Sequence, residues 1–297
     1  MENFELTPEE QEKGQYEAIA IAFMDVRPVE EPKGIFVLAQ PGAGKTGLTG
    51  FIKLEFDNKY GQSMLHVDPD KIGLSHPHYT EIMQNSSQQT YAILQRFTNP
   101  TTKTINAMAI DRGVNILTEG TFRDKNGYLA NIQKMIESGY SIEINLMAVD
   151  SLESMLSTLE RYYYNMVELG LPPRNVEKKW HDLAYTGMLE TLQEVEDRGM
   201  FDRIRIFTRG KEERHPNLIF SKSRDDRGIS AVETLKLARQ AERRRLLQNP
   251  ENFRERIARL KETIVRNGNN PEQMAQLLAI EKDFEQAMLT SEAIEER

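Results

Sequence analysis

The sequence predicts an α/β fold: a mostly parallel sheet of about five or six strands with helices on both faces, followed by a C-terminal helical extension. Three observations predict it. Short continuous apolar runs alternate with helical stretches up to residue 229. A glycine-rich loop joins the first run to a helix. After Ser230 no strand-like run occurs. Strands separated by helices give βαβ units and a parallel sheet covered on both sides.

The first helix is expected to start at Thr7-Pro8-Glu9-Glu10, which offers an N-cap, a proline at the first helical position and acids in the first turn. It runs to Met24, and Pro28 stops it. Gly34–Ala39 is a continuous apolar run of the kind a buried parallel strand needs. Further strands are expected at 64–67, 114–117, 142–149, 204–207 and 218–220. Helices are expected at 45–56, 88–112, 125–138, 151–169 and 176–198. In the tail, Phe253, Ile257, Leu260 and Ile264 form a helical apolar stripe. Asn267-Gly268-Asn269-Asn270-Pro271 breaks it, and a second helix follows from about Glu272 to Leu289. The tail carries 12 basic and 12 acidic residues, whereas residues 1–229 carry the entire net charge of −8. A boundary near Arg227-Gly228 divides a domain of residues 1–229, N-terminal helix included, from a helical extension of residues 230–297.

Composition excludes several classes. With no cysteine, there is no disulfide scaffold, thiolate metal site or thiol nucleophile. Acidic net charge argues against electrostatic nucleic-acid binding, and no apolar run is long enough for a membrane span. The N-terminus lacks the basic start and apolar stretch of a signal peptide, so the expected location is the cytoplasm.

The loop Gln40-Pro41-Gly42-Ala43-Gly44-Lys45-Thr46 follows the first strand and opens a helix. It matches the P-loop (Walker A) pattern, with Ala39 in place of the first glycine. Gly42 and Gly44 allow backbone N–H groups to converge on phosphate oxygens. The helix start adds positive potential. Lys45 can reach the β- and γ-phosphates of ATP, and the Thr46 hydroxyl can ligate Mg²⁺. Hydrolysis, phosphoryl transfer and nucleotide sensing all use such a loop, so the acceptor side decides between them.

Carboxyl ends of parallel strands form the ligand edge. Asp68 and Asp70 follow the second strand, where a carboxylate can take a proton from an acceptor hydroxyl. Asp68 also suits a helix N-cap, which leaves Asp70 as the better candidate base. Glu119, Thr121 and Arg123 follow the third strand. Glu119 can accept hydrogen bonds from sugar hydroxyls or place metal-bound water, and Thr121 and Arg123 can hold substrate oxygens. Arg161 lies on the helix after the fourth strand, and Arg174 follows Leu171-Pro172-Pro173. Both suit a lid that clamps a phosphoryl group, although without other context each reads first as a solvated helix-face arginine. His76 and His78 lack a wider ligand cluster and read as a turn that shapes the pocket.

Taken in order, the P-loop, Asp68-Pro69-Asp70, His76-Pro77-His78-Tyr79, Glu119-Gly120-Thr121 and Glu160-Arg161-Tyr162 resemble the zeta toxin family over about residues 30–225. The resemblance implies a P-loop kinase fold and an ATP- and Mg²⁺-dependent kinase that phosphorylates UDP-N-acetylglucosamine on the sugar 3′-hydroxyl. It implies a toxin of a toxin–antitoxin pair that blocks cell-wall synthesis and is restrained by a small helical epsilon-type antitoxin. It makes Asp70 the general base, Lys45 and Thr46 the phosphate and Mg²⁺ residues, and Arg161 and Arg174 the phosphoryl clamps. Glu119, Thr121 and Arg123 fall on the sugar-nucleotide side. One position departs from the family pattern. Where an acid is common, 16 residues before Glu119, this chain has Lys103, which cannot accept hydrogen bonds. Another small-molecule kinase, such as an antibiotic phosphotransferase, and a non-catalytic nucleotide-binding module are the competing readings. The resemblance does not extend into the C-terminal extension.

Overall fold

A computed structural model describes residues 4–84, 90–169, 175–210, 215–226 and 228–295. The chain begins with α1 (Pro8–Ala22), β1 (Lys33–Leu38), α2 (Lys45–Tyr60) and β2 (Leu65–Val67). Short helices α3 (Pro69–Gly73) and α4 (Tyr79–Gln84) lead to α5 (Thr90–Asp111) and β3 (Ile116–Gly120). Then come α6 (Lys125–Glu137), β4 (Ser141–Met147), α7 (Ser151–Val167) and α8 (Lys178–Asp197). The hairpin β5 (Arg203–Thr208) and β6 (Asn217–Ser223) precedes α9 (Ala231–Gln248), α10 (Pro250–Arg266) and α11 (Pro271–Glu295).

The six strands form one sheet in the order β2-β3-β1-β4-β5-β6. The first five are parallel, and β6 is antiparallel to β5. Only eight residues separate β5 from β6, too few for the crossover of a dozen or so residues that a parallel pair needs. The chain leaves β1 toward β2 on one side and β4 toward β5 on the other. The switch point, where ligands bind in such sheets, therefore lies at the carboxyl ends of β1 and β4.

Successive residues of β1 enter different cores, as a strand covered on both faces requires. Phe36 and Leu38 pack with Ile105, Ile132 and Leu192. Ile35 and Val37 pack on the other face with Leu48, Ile52 and Phe56 of α2. Helix α9 contributes Ala231, Val232 and Leu235 to the first of these cores. Arg227, at the boundary read from the sequence, lies outside the described residues. A third cluster joins α7 to the tail, through Leu152, Leu156, Leu159 and Phe253, Ile257 and Phe284.

Thr7 caps α1 through a full capping box with Glu10. In the tail, the 230–266 stretch is two helices rather than one, because Pro250 starts α10 directly after Asn249. The break at Asn267–Pro271 is present, with Gly268 and Asn269 at positive φ.

Candidate functional site

The loop 39–46 leaves β1 at the switch point. Ala39 is fully buried, and its N–H donates to the Gly120 carbonyl at 3.1 Å, prolonging the β1–β3 pairing. Its φ is not positive, so nothing in the backbone demands the glycine usual there. Gln40, also buried, donates from Nε2 to the Val149 carbonyl at 2.9 Å, tying β1 to the end of β4. Gly42 and Gly44 have φ values of 75° and 91°, a region that favours glycine. Lys45 opens α2 with Gly44 as its N-cap, and its Nζ lies 3.5 Å from the Gly120 carbonyl. Thr46 is exposed in the first turn of α2.

At the carboxyl end of β2, Asp68 caps α3 by accepting from the Asp70 N–H at 3.0 Å. Burial, reinforced by the nearby negative charges of Asp70 and Glu119, pushes the Asp68 carboxyl up from its ordinary value. Asp70 itself is exposed. Val37 pairs with Glu119 in the sheet register, so Glu119 stands beside the start of the loop. Burial works to raise its pKa, but the His66 hydrogen bond and the Lys45 charge outweigh it, and the carboxyl is held below its ordinary value. His66 Nε2 is 3.0 Å from Glu119 Oε1. Its Nδ1 is buried and without a hydrogen-bond partner among the described residues. Donor atoms of His66, Asp68 and Glu119 lie within 4.8 Å of one another.

After Glu119 the chain turns sharply. Phe122 is buried with φ of 59°, an uncommon conformation for a bulky residue. Its carbonyl accepts from Thr191 Oγ1 at 2.7 Å. Thr121 and Arg123, both half-buried, flank this strained residue. The Arg123 guanidinium lies over the Trp180 ring, 5.1 Å from its centroid. Arg161 is exposed on α7, adjacent to Glu160. Arg174 lies outside the described residues. Lys103 is exposed on α5. His76 and His78 form a turn, the His78 N–H donating to His76 Nδ1 at 3.1 Å. His78 also pairs with Glu10 of α1.

The structure thus brings Lys45, Asp68, Asp70, Glu119, Thr121 and Arg123 to one edge of the sheet. It also adds residues the sequence reading does not single out. Arg209, just after β5, donates from Nη2 to the Gly42 carbonyl and from Nε to the Ala43 carbonyl at 3.4 Å. Arg239 of α9 donates to Gln40 Oε1 at 3.3 Å. His66 and Trp180 complete the additions.

A parallel sheet of this order, with a glycine-rich loop leading from its central strand into a helix, is the architecture of P-loop kinases. The chain belongs to the zeta toxin family, whose sequence model matches residues 20–218. It is 28% identical over 181 residues to "Toxin zeta" of Enterococcus hirae, covering 61% of this chain and 62% of that one. To "Toxin PezT" of Streptococcus pneumoniae it is 26% identical over 182 residues, covering 61% and 70%. The chain thus spans about three-fifths of the length of the zeta relative from Enterococcus hirae. Among solved structures, a chain of the PezAT chromosomal toxin–antitoxin system of Streptococcus pneumoniae superposes with a TM-score of 0.69 at 23% identity, covering 88% of this chain and all of that one. A chain of the AvrRxo1-ORF1:-ORF2 complex with ATP gives 0.56 at 12% identity, covering 92% and 87%. At these identities the likeness is one of fold. Among the described residues no helix is long and apolar enough to cross a membrane.

Proposed function

We propose that this protein is an ATP-dependent kinase of a UDP-activated sugar, with UDP-N-acetylglucosamine phosphorylated on the sugar 3′-hydroxyl, and that it acts as the toxin of a toxin–antitoxin pair. A small helical epsilon-type antitoxin is its restraining partner. The observation that carries this reading is the convergence of a phosphate-binding loop and an acceptor-side set of carboxylates on one sheet edge. A sensing module needs the first and not the second.

In this reading the loop N–H groups and Lys45 hold the β- and γ-phosphates of ATP. An acceptor hydroxyl oxygen bonds to the γ-phosphorus as the bond from that phosphorus to the ADP oxygen breaks. Asp70 takes the hydroxyl proton. Arg161 and Arg174 neutralise charge on the transferring group. Glu119, kept ionised by His66 and Lys45, accepts hydrogen bonds from sugar hydroxyls, while Thr121 and Arg123 hold other acceptor oxygens. The Thr46 hydroxyl is a hard oxygen donor, as are the Asp68 and Glu119 carboxylates, whose oxygens lie within 4.8 Å of one another. Such donors would hold Mg²⁺, which would supply neutralisation of phosphate charge.

Lys103 favours a second reading, in which the acceptor is a different small molecule. One experiment separates the two. Mg²⁺-ATP is incubated with the protein and a panel of UDP-sugars, and products are resolved by mass spectrometry and phosphorus NMR. A 3′-phosphorylated UDP-N-acetylglucosamine is expected. ATP binding with no UDP-sugar turned over would overturn the proposal in favour of another acceptor.

A further inference from the structure

Helix α7 has two working faces. One supports the phosphate loop: a β-carbon on Gly42 would lie only 2.9 Å from Thr158 Cγ2 and 3.0 Å from the Ser154 carbonyl carbon. The other is covered by the tail, which lies outside the residues matched by the family model. The join is ionic as well as apolar. Arg256 of α10 reaches across three positions of α7, Glu153, Ser157 and Glu160. Its Nη1 donates to both carboxylate oxygens of Glu153, at 2.7 and 2.9 Å. Its Nε and Nη2 donate to Glu160 at 2.8 and 2.7 Å. The same Glu153 Oε1 accepts from Arg209 Nη1 at 2.7 Å. Arg209 in turn donates to the Gly42 and Ala43 carbonyls. A continuous path therefore runs from the tail to the loop backbone.

The geometry points to Arg256 as a positioning residue of the nucleotide loop: by fixing Glu153 it orients Arg209 beneath Gly42 and Ala43, so that the C-terminal helices complete the nucleotide site. The inference deepens the proposed function only in taking the loop to hold a nucleotide. Its physical basis is entropic. The Arg256 guanidinium is locked onto Glu160 by a two-point fork through Nε and Nη2. From that fixed seat its Nη1 holds both carboxylate oxygens of Glu153, which restricts the rotamers Glu153 can adopt. Without Arg256, the remaining Arg209–Glu153 pair is a partly exposed one-point contact, a kind that holds two long side chains poorly. Arg209 then samples other rotamers, and the loop carbonyls lose a fixed donor. The half-buried seat of Arg256 on α7 makes the effect specific. Arg254, two residues away on α10, pairs with Glu285 of α11 and does not reach α7.

The test uses the full chain and compares wild type with Arg256→Met, Arg256→Lys and Arg254→Met. Hydrogen exchange of the peptide spanning residues 40–48 is followed without ligand, and thermal unfolding confirms that each variant is folded. Arg256→Met is expected to speed exchange of this peptide about five- to tenfold, the low end of typical coupling between sites. Arg254→Met should leave it unchanged, and Arg256→Lys should recover part of the protection. Titration with Mg²⁺-ATP should show affinity falling by a similar factor in Arg256→Met alone. Unchanged exchange in folded Arg256→Met, or equal effects of Arg254→Met, would overturn the inference. Wild type that fails to bind ATP would sink the proposed function while the exchange result still decides the role of Arg256. Should Arg256→Met not fold, Glu153→Gln, which keeps the side-chain shape and removes the shared charge, is read by the same criteria.

Discussion

The carbonyl oxygen of Ser154 occupies the place that a β-carbon on Gly42 would take. The obstacle is helix backbone, which cannot swing away as a side chain can. The φ of 75° at Gly42 adds strain for any other residue. Gly44 has an even larger φ of 91°, but its surroundings are open, with the nearest heavy atom 3.7 Å from a built β-carbon. Gly44→Ala should therefore cost only the backbone term of about 1–2 kcal/mol. Gly42→Ala should cost more and weaken Mg²⁺-ATP binding by more than about tenfold, since the loop must leave its seat. Calorimetric titration and thermal unfolding of the two variants check this. Equal effects would mean that α7 does not set the loop conformation.

Asp70 and Lys45 should fail in different ways. Asp70 is exposed in the first turn of α3, on the proposed acceptor side. Asp70→Ala should lower transfer by about 10²–10⁴-fold with Mg²⁺-ATP affinity near wild type. Lys45→Ala should weaken both together, because its charge meets the phosphates in the ground state and the transition state alike. Rates with the identified acceptor and nucleotide titrations separate the cases. Near-normal turnover in Asp70→Ala would move the base to another residue, with Asp68 next in line.

Gly120, in the Glu-Gly-Thr segment, is required by a ring rather than by a turn. A β-carbon there would collide with the Tyr128 hydroxyl and lie 2.9 Å from its Cζ. Burial pushes the Tyr128 hydroxyl pKa up to about 12. Gly120→Ala should destabilise the fold by about 1–3 kcal/mol, the usual range for overpacking. Tyr128→Phe removes the colliding oxygen, so the double variant should lose less than the two single losses combined. Denaturant unfolding of all four proteins measures the cycle. Strict additivity would show that the clash is relieved elsewhere.

Local features were legible in the sequence because their causes are local. The phosphate loop, the Thr7 cap and the Asp68 cap each depend on residues within a few positions of one another. The inner strands were legible because burial on both faces leaves continuous apolar runs, as Ile35–Leu38 shows; β6 carries a similar short run at Leu218–Phe220 although it is mostly exposed. Arg209 and Arg256 were not legible. Their partners lie 56 and 103 residues away, and an arginine carries no mark of which carboxylate it will meet. Trp180 similarly became part of the site only when α8 was placed against the Arg123 loop, where a β-carbon on Gly187 would sit 3.2 Å from Arg123 Cα. Pro250 did carry a helix-start signal of its own, hidden by the strong helical periodicity on either side.

The support under the phosphate loop should also make the protein sensitive to mild acid. His181 is fully buried on α8, with Nε2 2.8 Å from Ser154 Oγ and Nδ1 3.2 Å from Asp182. Burial pushes its pKa below the ordinary 6.5; the Asp182 hydrogen bond and charge work against that, while Lys178 and Arg239 assist it. Because the folded state binds the proton less readily than the unfolded chain, stability from neutral His181 is complete above pH 6.5. It falls as pH drops from 6.5 toward the folded-state pKa, by at most about 1.4 kcal/mol per pH unit. His76, also lowered by burial, contributes in the same direction. Carboxylates held low, such as Glu119 and Glu196, act only below about pH 4.5, whereas Asp68 and Glu242, pushed up by burial, gain stability as pH falls and oppose the histidines. His181→Gln keeps a polar group opposite Ser154 and removes the titration. The fall in Tm between pH 7.5 and pH 5.5 should therefore be smaller in His181→Gln than in wild type. Mg²⁺-ATP affinity should follow the same trend, since Ser154 is the residue on which Gly42 rests. An identical fall in both proteins would place the acid sensitivity elsewhere, with His76 the first site to test.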